Sequence, residues 1–237
     1  MSIDVRTTVG QLVAERPAVA RVFESVGIDY CCGGKVALED ACRAKGLDAH
    51  TVAVLLEAQG ATSGGARAEV NVTSMGLGEL CEHIRRTHHD YLREELPRID
   101  ELTRRVEQAH GQDDPRLGQL RRIFLGFADE LMVHTEKEER VLFPLIARLE
   151  AGERPSGSVA APIAELEAEH AEAGAALAQM RSLTDGYACP PGACNTYRAM
   201  LDALRTLEQD MHRHVHKENS VLFPRAAAVA AGAAVPA

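Results

Sequence analysis

The apolar positions of the chain recur with a helical period over most of its length, in two sets of segments that differ in size. The upstream set predicts four short helices, near Val9–Glu15, Pro17–Ser25, Val36–Lys45 and Ala49–Gln59. The downstream set predicts four long helices, near Gly76–Ala109, Pro115–Glu150, Pro162–Thr184 and Thr196–Ala227. Short loops rich in breakers separate the long helices, which favours an antiparallel four-helix bundle.

A segment without periodicity lies between the two sets. It contains the run GATSGG at residues 60–65, whose composition is typical of a flexible linker that ends near Thr73. We therefore predict an all-α protein in three parts. These are a small N-terminal helical domain at residues 1–59, a linker at 60–73 and the four-helix bundle at 74–230.

The bundle region contains an internal repeat. The sequence HTEKEERVLFP, which begins at His134, returns 80 residues later as HVHKENSVLFP, which begins at His214, and seven of the eleven positions match. One histidine on the preceding helix accompanies each copy, His89 for the first and His170 for the second. The pattern predicts two helical hairpins related by an approximate two-fold axis, which suits a site shared by two metal ions.

Each copy of the repeat carries the motif H-x-x-x-E, as His134 with Glu138 and as His214 with Glu218. Residues four apart lie on one face of a helix, so an imidazole and a carboxylate point in the same direction. Bundle cores hold di-iron sites with such ligands. Nitrogen and oxygen ligands without thiolate favour iron or manganese over structural zinc. One such motif alone usually belongs to a solvated surface, but two copies in the same context indicate a metal site.

The neighbouring histidines are sorted by their angle around the helix. His212 and His216 lie about 160° from His214, so we expect both to be solvated. His88 and His89 are adjacent, so we expect only one of them to face inward, and the angles do not decide which. His83, His50 and His110 have no partner pattern and are read as non-ligands.

An acidic residue lies one turn before each H-x-x-x-E motif, Glu130 before the first and Asp210 before the second. These carboxylates could orient the ligand histidines or line an access route. A salt bridge to an arginine on a facing helix is an equally good explanation.

Two adjacent cysteines, Cys31 and Cys32, stand in the N-terminal segment YCCGGK. Adjacent Cα atoms are about 3.8 Å apart, below the range of a relaxed disulfide, so we do not expect an internal bridge. A helix that begins near Lys35 would place its N-terminus close to both sulfurs and lower their pKa. Such thiolates suit metal, nitrosyl or redox chemistry, whereas the alternative is a turn with two incidental thiols. We expect Cys42 and Cys81 to pack as small hydrophobic residues.

Composition and charge limit the partners of the chain. Hydrophobic residues make up 46% of it, enough for a sizeable core. The formal net charge of −9 argues against nucleic acid or an anionic membrane as the main partner. No apolar run approaches the roughly 20 residues of a membrane span, and the first residues lack the pattern of a secretory signal. We therefore expect a cytoplasmic protein whose cysteines are thiols or ligands.

Taken together, five motifs resemble the iron–sulfur cluster repair di-iron proteins (RIC, YtfE/ScdA type) over nearly the whole chain. The motifs are DYCCGGK, HDYLREELP, HTEKEERVLFP, EAEHAEAG and HVHKENSVLFP. The resemblance implies a hemerythrin-like bundle. In that family the first ligand histidine lies eight residues before the proline of the ELP turn, which here indicates His89. The six ligands of two oxo- or hydroxo-bridged iron ions would then be His89, His134, His170 and His214, with Glu138 and Glu218 as bridging carboxylates.

The same resemblance implies a function. It indicates a cytoplasmic stress-response protein that repairs iron–sulfur clusters damaged by nitrosative or oxidative stress, by donating iron. Cys31 and Cys32 would relay iron or nitrosyl groups, damaged iron–sulfur proteins would be the partners, and the chain would form a homodimer. Two alternatives stay open, a nitric oxide reductase at the diferrous site and a hemerythrin-like sensor that binds oxygen or nitric oxide. Whether the chain is an enzyme is therefore not decided.

Overall fold

The computed structural model describes residues 3–61, 72–153 and 158–232 of the chain. Regular structure in these residues is helical, apart from an isolated antiparallel bridge between Thr8 and Ala37. The predicted all-α fold is therefore confirmed. None of the helices in the described part of the chain combines the length and the apolar character that crossing a membrane requires.

The chain divides into two compact units whose borders cut across the long helices. The first unit comprises Met1–Cys81, Ile146–Val159 and His212–Ala237, and the second comprises Glu82–Leu145 and Ala160–Met211. The N-terminal helices thus share a unit with the ends of the bundle helices. The predicted linker at 60–73 has helical ends, since α4 runs through Ala61 and a 3₁₀ turn occupies Val72–Ser74, while residues 62–71 lie outside the described residues.

Short helices form the N-terminal part of the first unit. They are α1 (Val9–Glu15), a 3₁₀ turn (Pro17–Val19), α2 (Ala20–Val26), α3 (Leu38–Ala44) and α4 (Ala49–Ala61). Thr8 caps α1, because its hydroxyl accepts a hydrogen bond from the backbone N–H of Gln11. Buried apolar side chains such as Phe23, Leu38 and Leu56 form one core between these helices.

Three of the four long helices contain a π-helical turn. The first runs as α5 (Leu77–Ile84), a π turn (Arg85–His89) and α6 (Asp90–His110). The second runs as α7 (Arg116–Lys137), a π turn (Glu138–Leu142) and α8 (Phe143–Glu150). The third is α9 (Ala160–Leu183), and the fourth runs as α10 (Asn195–His216), a π turn (Lys217–Leu222) and α11 (Phe223–Ala230). The four predicted helices are present, but the π turns were not predicted.

The two LFP sequences mark the ends of π turns. The N–H of Phe143 donates to the carbonyl of Glu138, and the N–H of Phe223 donates to the carbonyl of Glu218, each five residues earlier. A proline follows each phenylalanine; in an α-helix its ring would clash with the carbonyl four residues before it. The wider turn relieves that clash. π turns occur frequently at functional sites, and these two begin at or next to a predicted ligand.

In the second unit, the long helices pack antiparallel around a core that includes Leu120, Phe124, Leu177 and Met180. Each helix contributes an apolar stripe to this core. Contacting side chains show which helices are neighbours and that neighbours run in opposite directions. The first and second long helices are joined by Arg121 with Asp100 and by His89 with Glu139. The second and third are joined by Arg116 with Asp185 and by His134 with Glu169, and the first and fourth by His110 with Cys194 and by His88 with Asp210.

In the first unit, the N-terminal helices pack against the end of the last long helix. Helix α1 contacts the π turn Lys217–Leu222. The backbone N–H of Gly10 donates to the carbonyl of Gly34 at 2.9 Å. A Cβ atom on Gly10 would lie 2.6 Å from Oγ of Ser220, and one on Gly34 would lie 3.1 Å from it. Glycine is therefore required at residue 10 by the close approach of these segments.

Candidate metal centre and cysteine turn

The second unit brings together four predicted ligands, His89, His134, Glu138 and His170, all of them buried. Glu138 is fully buried, and its Oε2 lies 3.3 Å from Nε2 of His89 and 3.6 Å from Nε2 of His134. His89 and Glu138 come from π turns, His134 from α7 and His170 from α9. Three helices of the bundle thus direct imidazole and carboxylate groups to one buried place.

The histidine pair of this unit has the geometry of metal ligands. Nε2 of His134 lies 3.0 Å from Nε2 of His170. Nδ1 of His134 donates to Oε2 of Glu169 at 2.7 Å, so the lone pair of that ring is on Nε2. Two imidazole nitrogens bound at right angles to one ion, each at about 2.1 Å, would be about 3 Å apart. The observed spacing therefore fits an ion held by both rings, and a carboxylate oxygen of Glu138 lies within 4.8 Å of a ring nitrogen of each.

Two carboxylates that the sequence reasoning missed form hydrogen bonds with predicted ligand histidines. Glu169 accepts from Nδ1 of His134, and Glu139 accepts from Nδ1 of His89 at 2.7 Å. Burial raises the pKa of Glu139, but hydrogen bonds from Arg93 and His89 outweigh it and hold that pKa below the ordinary value. A histidine that binds a metal usually donates its other ring N–H to such a carboxylate. Their positions in the sequence were the available signal, since each of the two glutamates is adjacent to a predicted ligand.

Replacing Glu169 by glutamine is expected to weaken metal binding by about 10–100-fold, because the hydrogen bond to His134 loses its charged acceptor. Competition with a chelator of known affinity measures the change. Glu165→Gln is the matched control, since Glu165 also accepts from Lys137 but is exposed and belongs to a surface ion pair. Equal affinities of the two variants would contradict the orienting role of Glu169.

The first unit contains the other two predicted ligands. His214 and Glu218 are both fully buried, and Nε2 of His214 lies 2.9 Å from Oε1 of Glu218. The prediction that His212 and His216 are solvated is wrong for His216, which is buried, and His212 is half-buried. Both histidines do lie on the helix face opposite His214, but Tyr30 covers that face, and its ring contacts both imidazoles edge-on. Burial lowers the pKa of His216 to about 4.

The prediction that only one of His88 and His89 faces inward is also wrong, since both are buried. Both belong to the π turn Arg85–His89, whose wider turn does not follow the 100° step of an α-helix. His88 contacts Asp210, with Nδ1 2.9 Å from Oδ1. Asp210 therefore pairs with a histidine that was not assigned as a ligand.

The other predicted accessory acid, Glu130, is exposed on α7. It lines an open surface pocket together with His134, Glu169, His170 and Glu172. The pocket thus reaches from solvent to two of the predicted ligand histidines, and Glu130 lies along it.

The cysteine turn is organised by Asp29. Its Oδ1 accepts from the backbone N–H groups of Cys31 at 2.9 Å and Cys32 at 3.0 Å, and its Oδ2 accepts from that of Gly33 at 3.1 Å. The two sulfurs are 3.8 Å apart and are not joined in a disulfide, as expected. Two thiolates on one tetrahedral ion, each at about 2.3 Å, would have the same spacing of about 3.8 Å.

The expected activation of these thiols is wrong for Cys31. The following helix begins at Leu38 rather than near Lys35, because residues 32–35 form a turn and Ala37 pairs with Thr8 in the isolated bridge. A hydrogen bond with Cys32 and burial raise the pKa of Cys31 well above its ordinary value, and the thiol donates to Oδ1 of Asp29 at 3.0 Å. Cys42 and Cys81 are buried, as the sequence predicts.

Comparison with protein families assigns both parts of the chain. Residues 82–226 match the family described as the hemerythrin HHE cation binding domain. Residues 5–59 match a family named ScdA_N and described as a domain of unknown function, DUF542. The HHE match contains all six predicted ligands, which agrees with a cation site built from histidine and glutamate.

Curated relatives are similar to the chain over nearly its whole length. The iron–sulfur cluster repair protein ScdA of Staphylococcus haemolyticus is 32% identical, over 91% of this chain and 95% of its own. The iron–sulfur cluster repair proteins YtfE of Pectobacterium atrosepticum and Escherichia coli are 33% and 36% identical, each over 92% of this chain and 96% of its own. The chain therefore belongs to the ScdA/YtfE family of iron–sulfur cluster repair proteins, with a hemerythrin HHE domain after an ScdA_N domain.

Proposed function

We propose that this chain holds two iron ions and repairs damaged iron–sulfur clusters by donating iron to them. The observation that carries the proposal is Glu138, a fully buried carboxylate between the Nε2 atoms of His89 and His134. A buried anion is costly unless a positive charge compensates it, and metal ions do so at such sites. The names of the relatives support the repair of iron–sulfur clusters as the purpose.

The ligand set of the proposal has six members, the four histidines and the two glutamates that the sequence predicts. The internal repeat supports it, because His214 and Glu218 stand in the sequence where His134 and Glu138 stand in the first copy. Their burial also supports it, since both carboxylates are fully buried. Bound iron would supply exchangeable metal for cluster assembly and sites for NO or O2. The protein residues position the ions, and Glu139 and Glu169 orient the rings of His89 and His134.

The cysteine turn is the proposed relay for the departing iron. The 3.8 Å between the sulfurs of Cys31 and Cys32 suits a single ion, and the carboxylate of Asp29 lies within ligand reach of both. The turn packs close to the helix end that carries Glu218, because Gly34 approaches Ser220. Iron is the cargo in this scheme, and the receiving protein carries the damaged cluster.

The proposed setting follows from the resemblance and from the net charge of −9. The protein would act in the cytoplasm under nitrosative or oxidative stress, as a homodimer, on damaged iron–sulfur proteins. Neither a nucleic acid nor a membrane is part of the scheme, because an acidic chain is repelled by phosphate-rich partners.

The repair of a damaged [4Fe–4S] enzyme by the iron-loaded protein tests the proposal. The wild-type protein is expected to restore activity and to lose iron in step with it. A Cys31→Ser/Cys32→Ser variant should keep its iron but restore activity at least about tenfold more slowly, since the relay ligands are weakened. Cys189→Ser is the control, because Cys189 is an exposed thiol of the other unit. Equal rates for the double variant would contradict the relay, and no transfer by the wild type would contradict iron donation.

A further inference from the structure

A cysteine–histidine pair lies in the second unit, at the loop before α10. Cys194 directly precedes that helix, and its sulfur accepts hydrogen bonds from the backbone N–H groups of Thr196 and Tyr197. Nε2 of His110, the last residue of α6, lies 3.3 Å from the same sulfur. The imidazole is held in place by Tyr197, with ring centroids 5.5 Å apart. Three groups that donate hydrogen bonds thus converge on one sulfur.

The sulfur of Cys194 is open to reagents. Cys194 is exposed, in contrast to the buried thiols of Cys31, Cys42 and Cys81. Cys189 is also exposed and lies five residues earlier in the same loop, where its thiol contacts the carbonyl of Pro190 at 3.7 Å. The loop therefore contains one thiol beside an imidazole and a helix N-terminus, and a second thiol that serves as an internal reference.

We infer that Cys194 is a reactive thiolate, activated by His110 and by the N-terminus of α10, and that it is a site of oxidation by hydrogen peroxide. The sulfur of Cys194 attacks one peroxide oxygen, so that an S–O bond forms and the O–O bond breaks. The leaving hydroxide takes a proton and becomes water. Cys194 is oxidised to a sulfenic acid and the peroxide is reduced. Reaction of this surface thiol with peroxide is separate from the metal site and does not depend on the proposed repair function.

The electrostatics of the loop agree with this inference. The hydrogen bond from His110, followed by those from Tyr197 and Thr196, lowers the pKa of Cys194 to about 7. Two arginines near the loop have other partners. Arg116 binds Asp114 and Asp185, and Arg198 donates to the carbonyl of Ala193.

The expected gain in reactivity is moderate. At neutral pH about half of such a thiol is ionised, against roughly 3% for an ordinary cysteine with a pKa of about 8.5. A thiolate of lower pKa is a weaker nucleophile, with a Brønsted coefficient of about 0.4–0.5, which cancels about fivefold of this advantage. Cys194 should therefore react about threefold faster than an ordinary thiol at neutral pH.

Peptide-resolved alkylation of the full-length protein with iodoacetamide is the first test. Cys194 is expected to react about threefold faster, at neutral pH, than the cysteine of an unstructured reference peptide whose thiol has the ordinary pKa of about 8.5. His110→Phe should remove this advantage, since phenylalanine keeps the ring beside Tyr197 but has no nitrogen to donate to the sulfur. A rate that does not exceed that of the reference peptide, or that is unchanged in His110→Phe, would overturn the activation by His110.

Trapping of sulfenic acid with dimedone after treatment with hydrogen peroxide is the second test. It uses the Cys189→Ser variant, so that the other exposed thiol of the loop cannot consume the product. An adduct on Cys194 is expected, and it should fall in the variant that also carries His110→Phe. No adduct on Cys194, or an equal yield with His110→Phe, would overturn the assignment of Cys194 as an activated oxidation site.

Discussion

Replacing Glu138 by glutamine should reduce the iron content of the protein from the proposed two ions per chain to about one or fewer. Oε2 of Glu138 lies 3.3 Å from Nε2 of His89 and 3.6 Å from Nε2 of His134. An amide oxygen is a neutral and weaker ligand, and it does not bridge two cations as a carboxylate does. Metal analysis of the purified, iron-loaded proteins measures the effect.

The same substitution should change stability in opposite directions with and without metal. Without metal, wild-type Glu138 is a buried carboxylate, so the glutamine variant is expected to be at least as stable. With metal, the wild type gains RT ln(1 + [L]/Kd), about 2.7 kcal/mol at a hundredfold excess over Kd, and the variant loses much of that gain. Thermal unfolding with and without a chelator separates the two states.

Glu136→Gln is the control for both measurements. It removes one carboxylate from the same helix, but Glu136 is exposed and pairs with Arg140 on the surface. Its iron content and its unfolding should match the wild type in both states. A Glu138→Gln protein that keeps two irons and unfolds like this control would show that the buried carboxylate is not a ligand.

Replacing Tyr30 by alanine should destabilise the first unit by about 3–5 kcal/mol, the usual cost of truncating a buried aromatic residue. Tyr30 is 1% exposed, and its ring packs on Phe23, His212 and His216. Tyr30→Phe removes the hydrogen bond from the hydroxyl to Glu24 and should cost only about 1 kcal/mol. Denaturant unfolding with a probe in the N-terminal residues measures both.

The functional consequence of Tyr30→Ala should be a loss of repair. Tyr30 precedes the cysteine pair and covers the face of α10 opposite His214. Val54→Ala is the control, because Val54 is 63% exposed on α4 and its truncation should change little. Full repair by Tyr30→Ala would mean that the packing of the cysteine turn on this helix is unnecessary for transfer.

The helices were predictable because the apolar period is local information. The bounds of α1 match the prediction, and the four long helices were located correctly. The π turns were not predictable from an assumed step of 100° per residue, which also explains the error at His88 and His89. The LFP sequences carried the relevant signal, since proline in mid-helix requires some departure from α-helical hydrogen bonding.

Four of the candidate ligands could also be predicted from local sequence, since each H-x-x-x-E motif places its glutamate four residues after its histidine. Glu139 and Glu169 were missed because their contacts join different helices and depend on packing. The burial of His216 was missed for a similar reason, since the covering residue is Tyr30, far away in sequence. The turn at Cys31 was misjudged because Asp29, which organises it, was not considered as an acceptor.

The close approach of Gly10, Gly34 and Ser220 has an evolutionary consequence. The three residues lie in separate parts of the chain, yet a Cβ atom at residue 10 would be 2.6 Å from the serine oxygen and 2.8 Å from the carbonyl of Gly34. A larger side chain at any of the three positions would push the cysteine turn away from the helix end that carries Glu218. Across related sequences we therefore expect these three positions to covary. Where one of them carries a larger residue, the close packing is lost, and the other two no longer need to be small.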